Sequence, residues 1–528
     1  MSSTANLRSR RSAAQLQALA GVEREIRVQD SHSRRKYLRE FNQAFRTYES
    51  VLDADQLRDT LRSADIVLIG DYHALPSAQR HAASLIEQRA LAGDRPVVLG
   101  IETIFARDQH ILDEWWRREI DDSELRQRIR FDLDWGYDWT PFYELLVTAR
   151  DHGEALYGLD CMPREDLRKI GARDRHAAIK LAEIRRKHPN AVIFVLFGES
   201  HLAPAHLPRE LREQMPDAKI LTVLQNIDAL YWRAAGERAD SVEAVRVNDE
   251  VICVFNATPL EKYESYRLCL DQWSRCDDGP DFAPTIYNLI DSLAAFLEIN
   301  RYSPTNGTQP KFLVDMLPEV YGGSSDAMLR RLLSRKGIDE SLRESMLASV
   351  EARGSAYLPE VNAFYVREFQ MMHAAEDVTR FLHHACQGLP HRLNGQATGA
   401  TIAGESVART GAIDHFYARV IENAVGYLGS RILYPSRPAP NPDNAPQFSR
   451  AACDKAAQAA IRGDGADFQS SAQDWGYRIG NQIYEAYLAG KVAPSGLRRL
   501  FLAHLDEPGL ARKVCGTVIG KLRAISRA

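Results

Sequence analysis

Residues 191–201 have the sequence AVIFVLFGESH, which gives the first indication of the fold. The seven apolar residues that open it are rich in β-branched and aromatic side chains, which predicts a buried strand. A glycine ends this strand, and a carboxylate, one further residue and a histidine follow it. Residues 66–73, IVLIGDYH, repeat the same order. Two acid–histidine pairs that each follow a buried strand predict a site at one edge of a sheet.

Further strand-length apolar runs surround these two motifs, at residues 97–102, 155–160 and 220–225. Helical stretches separate the runs, and this alternation is typical of a parallel sheet that is covered on both faces. Residues 250–256, EVICVFN, are predicted to add an edge strand. We therefore expect an α/β fold, with a mostly parallel sheet flanked by helices.

The second half of the chain has a different pattern. Beyond residue 275 the strand signal disappears, and apolar residues recur at spacings of three and four, which predicts helices. Residues 355–388, SAYLPEVNAFYVREFQMMHAAEDVTRFLHHACQG, are part of this predicted helical region. The expected domains are a basic tail and helix at 1–55, an α/β domain at 56–275 and a mostly α-helical domain of unknown role at 276–528.

The composition of the chain excludes several classes of protein and indicates where in the cell the protein is located. The chain has 528 residues, 45% of them hydrophobic, and a net charge of −4, which argues against a chain-wide surface for nucleic acid or membrane. The first residues lack the apolar core of a signal peptide, and no run approaches the ~18 apolar residues of a transmembrane helix. Seven scattered cysteines without a C-x-x-C pair indicate free thiols. We expect a cytoplasmic protein.

Polar side chains at the ends of four predicted strands form the candidate site. The two motifs supply His73 and His201, each two residues after a carboxylate. Because side chains alternate along a strand, each histidine should point the same way as its acid. The acids of the two motifs are Asp71 and Glu199, and two other strands end in Glu102 and Asp160.

This set of side chains is compatible with two kinds of chemistry. Imidazole and carboxylate groups together bind divalent metal ions, and His73, His201 and Glu102 are the expected metal ligands. The same groups can instead supply a general base and its orienting partner. As catalytic residues we expect His73, His201, Glu102 and Glu199.

The order of the motifs resembles the ChaN-like family, within the haem-binding-uptake and Tiki-type superfamily that is related to erythromycin-esterase-like proteins. The resemblance covers roughly residues 60–235 and rests on GDYH, on IETIFARDQH with Glu102 and Gln109, on a Trp-containing segment and on GESH. It implies an α/β fold with a polar site at the strand ends. Family members are linked to binding haem or iron, and distant relatives look like metal-dependent peptidases or esterases. Asp71 stands where the family usually has Glu.

Three functions remain open at this point. The first is a hydrolase in which a metal-bound water attacks an ester or peptide carbonyl. The second is a non-catalytic protein that binds haem or iron, and the third is a scaffold whose helical half binds a protein partner. The expected cofactor is a divalent metal ion or haem, and the expected ligand is a small molecule, haem or a peptide.

Weaker candidates lie around these residues. His81 and Arg164 are predicted to assist cofactor binding together with Asp71 and Asp160, His81 from the helix after the first motif and Arg164 by holding an anionic group. The aromatic side chains Trp135, Tyr137 and Trp139 are candidates for the pocket wall, although ordinary packing is the simpler interpretation, as it is for Tyr72. His373, Glu376, His383 and His384 cluster in the helical half but do not complete a di-iron pattern.

Overall fold

The computed structural model describes residues 2–30, 36–162, 170–237, 242–275, 279–299, 316–323, 326–387, 399–440, 448–463, 465–503, 505 and 508–527. They form two compact units. One is Glu23–Ser274, and the other combines Met1–Val22 with Arg275–Ala528. The first helix, α1 (Ser2–Gln29), begins in the second of these units and ends in the first.

The unit Glu23–Ser274 is built on one sheet. Its strands are β1 (Ser50–Leu52), β2 (Ile66–Asp71), β3 (Val97–Phe105), β4 (Ala155–Asp160), β5 (Val192–Gly198), β6 (Ile220–Gln225), β7 (Ala244–Asn248) and β8 (Val251–Val254). They lie in the order β1-β7-β8-β6-β2-β5-β3-β4. β7 is antiparallel to both β1 and β8, and the five other neighbouring pairs are parallel. The predicted α/β fold with a mostly parallel sheet is therefore confirmed.

Helices flank the sheet, so that both of its faces are buried. They are α2 (Lys36–Ala44), α3 (Ala54–Arg62), α4 (Pro76–Leu91), α5 (Gln109–Trp116), α6 (Asp122–Arg128), α7 (Phe131–Asp134), α8 (Trp139–His152), α9 (Ile170–Lys187), α10 (Leu207–Gln214), α11 (Asp228–Glu237) and α12 (Pro259–Arg275). Val67 and Ile69 of β2 belong to one apolar core, whereas Ile66 and Leu68 belong to the other. This two-sided burial explains the continuous apolar runs of the sequence.

Two details of the sheet differ from the sequence prediction. Residues 250–256 are predicted as an edge strand, but β8 lies between β7 and β6. The edge is β1, a short strand within the segment predicted as helix and tail. Neither β1 nor β7 has a continuous apolar run, since β1 has one buried residue and β7 has two, and this is why the sequence gives no strand signal there.

The other unit is largely helical. Its helices are α13 (Ala283–Phe296), α14 (Asp326–Arg335), α15 (Glu340–Arg353), α16 (Met371–Gln387), α17 (Gly399–Leu433), α18 (Arg450–Arg462), α19 (Gly465–Leu488), α20 (Pro494–Phe501) and α21 (Leu510–Arg527). A small sheet accompanies them, formed by β9 (Glu319–Gly322), β10 (Ser355–Leu358) and β11 (Ala363–Val366).

This small sheet corrects the prediction that strands are absent beyond residue 275. Residues 355–388 are predicted as helix, yet β10 and β11 occupy the beginning of this stretch as an antiparallel pair. Pro359 and Asn362 lie between the two strands, and Asn362 has the positive φ of 45° that a tight connection requires. Both strands are buried along their whole length, so their apolar spacing looks the same as that of a buried helix.

None of the described helices combines the length and the apolar character that crossing a membrane requires.

Candidate active site at the sheet edge

The two motif strands are direct neighbours. β2 pairs with β5 in parallel, and Asp71 at the end of β2 lies opposite Gly198 at the end of β5. β3 pairs with the other side of β5 up to Ile101, so that Glu102 follows one residue after the paired stretch. Three of the predicted polar strand ends therefore meet at one edge of the sheet.

His73 is held by the acid of its own motif. Its Nδ1 lies 2.7 Å from Oδ2 of Asp71, a buried carboxylate that also accepts a hydrogen bond from Gln79. Burial favours the neutral imidazole, but the charge and hydrogen bond of Asp71, with Glu102 beyond it, outweigh burial and raise the pKa of His73. Since a carboxylate accepts but does not donate, Nδ1 carries the proton in the neutral imidazole, and Nε2 then has a free lone pair.

Glu102 is a buried, ionised carboxylate. Its Oε1 lies 2.5 Å from Nη2 of Arg173, and its Oε2 accepts the backbone N–H of Gly198. Burial alone would raise the pKa of Glu102, but Arg173, His201 and His73 lower it to about 2. Glu102 therefore remains a carboxylate over the whole physiological pH range.

Gly198 allows His73 and Glu102 to approach one point. A Cβ atom at this position would lie 3.0 Å from Oε2 of Glu102 and 3.3 Å from Nε2 of His73. Any side chain larger than hydrogen would push these two groups away. The second motif therefore needs a glycine at this position, so that the side chains from the neighbouring strands can approach each other.

His201 reaches the same carboxylate from the other side. Its Nε2 lies 3.7 Å from Oε1 of Glu102, and its Nδ1 lies 2.5 Å from Oδ1 of Asp174. Asp174, on α9, is almost completely buried and also lies 3.3 Å from His206. Both motif histidines therefore carry a carboxylate on Nδ1 and direct Nε2 towards the space around Glu102.

Glu199 does not point the same way as His201, which corrects the prediction from strand alternation. The chain leaves the strand at Gly198, and Glu199–Leu202 form a turn of 3₁₀ helix. Both carboxylate oxygens of Glu199 accept hydrogen bonds from Lys262, at 3.0 Å each. Burial alone would lower the pKa of Lys262, but Glu199 and Asp228 raise it, so Lys262 is charged.

Asp160 belongs to the arginine that holds Glu102. Its oxygens accept hydrogen bonds from Nε and Nη2 of Arg173 at 2.9 Å and 3.0 Å. Arg173 thereby connects the ends of β3 and β4, and Asp160 has no free oxygen for a ligand at this point. Arg173, Asp174 and Lys262 were not identified in the sequence, because they lie on helices and follow no strand.

The other predicted candidates are not brought to this site or lie outside the described residues. His81, on α4, lines a separate cavity with Leu61 and Phe194, and burial lowers its pKa to about 4. This contradicts its predicted role beside His73. Arg164 lies outside the residues that the structure describes.

A cavity of about 340 Å³ opens in front of His73. Trp135 and Tyr137 pack against the imidazole at centroid distances of 4.5 Å and 5.3 Å. Trp139 packs against Phe131 instead. The described residues that line the cavity are Ile26, Asp30, Tyr37, Leu38, Phe41, Asn42, Asp71, Tyr72, His73, Ala74, Tyr137, Gly198, Glu199, Ser200, Ile227, Asp228, Lys262, Tyr263 and Tyr266.

The donor set does not fit the predicted divalent metal. Within the described part of the chain, no group of three or more His, Cys, Asp or Glu side chains is placed to hold a metal ion. Arg173 takes one oxygen of Glu102 and brings a positive charge to the position where a cation would bind. His73, Glu102 and His201 are thus close together, but a guanidinium already neutralises their shared carboxylate.

The fold and these contacts define an α/β protein with histidines and carboxylates grouped at the carboxyl ends of its parallel strands. Residues 57–193 match the family described as haem-binding uptake, Tiki superfamily, ChaN. The resemblance seen in the motifs is therefore confirmed over this segment. The match includes His73, Glu102 and Arg173, and it ends within β5 before His201.

One solved structure is similar to part of this chain, but the similarity is weak. A solved structure entitled "Cofacial heme binding to ChaN of Campylobacter jejuni" matches with 14% identity, covering 34% of this chain and 90% of that chain, at a TM-score of 0.26. A TM-score this low supplies no correspondence between site residues. No curated protein matches this chain significantly.

Proposed function

We propose that the unit Glu23–Ser274 is a hydrolase that uses His73 as a general base to activate water against an ester or peptide carbonyl. One observation carries this proposal. Two imidazoles, each with a carboxylate on Nδ1, converge on one ionised carboxylate beside a cavity. Activation of a nucleophile requires such a base, within reach of the cavity and held in one tautomer by its partner.

Each residue has a defined role in this reaction. His73 Nε2 takes a proton from water while the water oxygen attacks the carbonyl carbon, and Asp71 stabilises the imidazolium that forms. The C–O or C–N bond of the tetrahedral intermediate then breaks, and the imidazolium gives its proton to the departing alkoxide or amine, which leaves the free carboxylic acid as the other product. Glu102 orients the water, and Arg173 keeps Glu102 ionised. His201, oriented by Asp174, holds its Nε2 3.7 Å from Oε1 of Glu102 and so limits the movement of this carboxylate.

Binding of haem is the second candidate function, and the family description favours it. His73 fits an axial ligand, because ligating histidines usually donate their other N–H to a carboxylate. Trp135 and Tyr137 provide aromatic surface next to it. Bound haem would supply iron redox or storage chemistry at this position.

Two features favour hydrolysis over haem binding. An axial ligand needs one histidine, which leaves the pair His201–Asp174 and the pair Glu102–Arg173 without a role. Asp71, Glu199 and Asp228 line the cavity with Lys262 as their cation among the described lining residues. Such a lining is unfavourable for the two propionate groups of haem.

The test measures hydrolysis of a panel of p-nitrophenyl esters and chromogenic peptides by the wild type, His73→Asn and Glu102→Gln. We expect each variant to lose about 10²–10⁴-fold in kcat/KM, the usual contribution of a positioned acid or base. His110→Asn, an exposed histidine of the same unit, is the matched control and should keep full activity. Undetectable hydrolysis across the panel, or full activity of His73→Asn, would contradict the proposal.

A titration with haem separates the second candidate. If His73 is an axial ligand, the wild type gives a shifted Soret band at a stoichiometric ratio and His73→Asn does not. On the hydrolase proposal we expect no such band. A His73-dependent band together with absent hydrolysis would replace the first function by the second.

A further inference from the structure

A groove of about 710 Å³ lies in the largely helical unit, between α20 and α21. Its floor is apolar. Leu497 of α20 is 0% exposed and Leu522 of α21 is 4% exposed. Val514 and Val518 precede Leu522 at intervals of four, so that all three lie along one side of α21. The groove thus has a continuous aliphatic wall, in a unit that the proposed hydrolase does not use.

The rim of this groove is positively charged. Four cations line it, Lys491, Arg499, Lys513 and Lys521, and none of the described lining residues is acidic. None of the four forms an ion pair with any part of the described chain, whereas most arginines of the α/β unit do. Lys513 and Lys521 are eight residues apart, so they project from the same side of α21, next to the aliphatic row. A basic rim that the described residues leave without counter-charge, above an apolar floor, selects for an amphiphile that carries negative charge.

We propose that this groove binds a monomeric long-chain carboxylate, such as a free fatty acid. The aliphatic wall takes the hydrocarbon chain, and Lys513 or Lys521 pairs with the carboxylate. The volume falls within the roughly 300–1,000 Å³ of small-molecule sites. Lys491 donates a hydrogen bond to the carbonyl oxygen of Ile525 at 2.9 Å, and both residues line the groove. A groove of this volume suits a single hydrocarbon chain better than a flat membrane surface.

The experiment follows the fluorescence of dansyl-undecanoic acid in the presence of the full chain, with hexadecanoate and hexadecanol as competitors. We expect saturable binding with one probe per chain. Displacement by hexadecanoate should be at least about tenfold more effective than displacement by the neutral alcohol, with the difference decreasing as salt is added. The double variant Lys513→Glu/Lys521→Glu should lose about tenfold or more in affinity, since two attractive contacts become repulsive.

The matched control is Lys455→Glu, an exposed lysine of α18 in the same unit, which should bind the probe as the wild type does. Because Lys513 and Lys521 are exposed, the double variant should fold normally, and circular dichroism verifies this. Equal displacement by the alcohol, an equal loss in Lys455→Glu, or no saturable binding would overturn the proposal. Binding to anionic phospholipid vesicles without binding of the monomeric probe would overturn it in favour of a membrane surface.

Discussion

At the scale of single residues, the proposed chemistry depends on the contact between His73 and Asp71. The raised pKa of His73 means that the imidazole is protonated, and inactive as a base, up to a higher pH than the ordinary value of 6.5. The acid limb of the pH profile of kcat/KM should therefore have its midpoint above 6.5. Activity is lost as the pH falls through this midpoint.

Replacing Asp71 with Asn tests this contact. The variant removes the charge that raises the pKa of His73, so the midpoint of the acid limb should move to lower pH. The rate on the plateau should fall by about 10²-fold or more, because the amide no longer stabilises the imidazolium. Measured pH profiles of wild type and variant decide the matter. An unmoved midpoint would show that Asp71 does not act on the group that titrates.

Gly198 gives a second prediction at this scale. Gly198→Ala places a methyl group 3.0 Å from Oε2 of Glu102, so we expect kcat/KM to fall by about tenfold or more while KM changes less. Gly171→Ala is the matched control, because no described residue outside its own helix lies within 4 Å of its new methyl group and alanine favours a helix. Steady-state kinetics of both variants should separate them. Equal activities would mean that the contact at Gly198 is not needed.

Removal of metal gives a third prediction. Because Arg173 already neutralises Glu102, hydrolysis should persist after dialysis against EDTA and should not increase when Zn²⁺ or Mn²⁺ is added back. The measurement is kcat/KM before and after chelation, together with the metal content of the protein. Loss of activity on chelation that zinc restores would require Arg173 to move away from Glu102.

Site residues that could be predicted from the sequence lie at the ends of strands, whereas those that could not be predicted lie on helices. His73, Asp71 and Glu102 were predicted because each follows a continuous apolar strand, and strand ends meet at one edge. Arg173 and Asp174 lie on a helix, where charged residues normally face solvent, and no local pattern marks them as buried. The predicted direction of the Glu199 side chain was wrong, because the strand ends at Gly198 and the chain continues as a 3₁₀ helix.

At the scale of elements, α16 carries a buried charge cluster that the sequence suggested only as a group of histidines and one acid. Glu376 is 0% exposed and accepts hydrogen bonds from Arg380, Arg437 and Tyr477. Burial would raise the pKa of Glu376, but the arginines lower it far below its ordinary value. The guanidinium of Arg437 also packs against the rings of Tyr427 and Tyr477, 4.3 Å and 4.7 Å from their centroids. The cluster joins α16 and α19 to the chain that follows α17.

Neutralising this acid should destabilise the unit. Glu376→Gln leaves the buried guanidinium groups without their counter-charge, which typically costs about 3–5 kcal/mol in the free energy of unfolding. Because the pKa of Glu376 is lowered on folding, ionised Glu376 stabilises the wild type at neutral pH. The difference in the free energy of unfolding between wild type and variant should therefore shrink as the pH falls towards the folded pKa. Urea unfolding at pH 7 measures it, with the exposed Glu351→Gln as control. A loss as small as that of the control would contradict the expected role.

Elements were predictable where burial was two-sided and continuous. The runs that became β2, β3, β4, β5 and β6 are nearly free of polar residues, so the sequence identified all of them. The strands β10 and β11 were missed because they are also fully buried but short, and a short buried run has no distinctive period.

At the scale of the whole molecule, the first residues of the chain belong to the unit formed by its second half. Ala14 and Ala18 of α1 are buried, and the carbonyl of Ala18 accepts a hydrogen bond from Asn288 at 2.9 Å. Arg10 and Tyr487 exchange two hydrogen bonds, of 2.8 Å and 3.0 Å. The division into domains at 1–55, 56–275 and 276–528 stays a prediction, to which these contacts add a role for the N-terminal helix.

Deleting residues 1–22 tests this role. The truncated chain should show faster amide hydrogen exchange in α13 and α19, which lose apolar and hydrogen-bonded partners, because local stability follows such contacts. Exchange in β2 and β5 serves as the internal control and should not change. Unaltered exchange in α13 and α19 would show that the helix contributes nothing to their stability.

The order of strands also determines when the sheet can form. β5 lies between β2 and β3 and pairs with both of them. The edges of β2 and β3 that face β5 therefore stay unpaired until residues 192–198 have been synthesised. During translation both present unpaired backbone groups for the time needed to add some hundred further residues, on the order of ten seconds at about 5–20 residues per second. Exposed apolar strand edges of this kind can pair with the strands of other chains and so lead to aggregation. Nascent chains should therefore depend on chaperones until the central strand emerges from the ribosome and closes the gap.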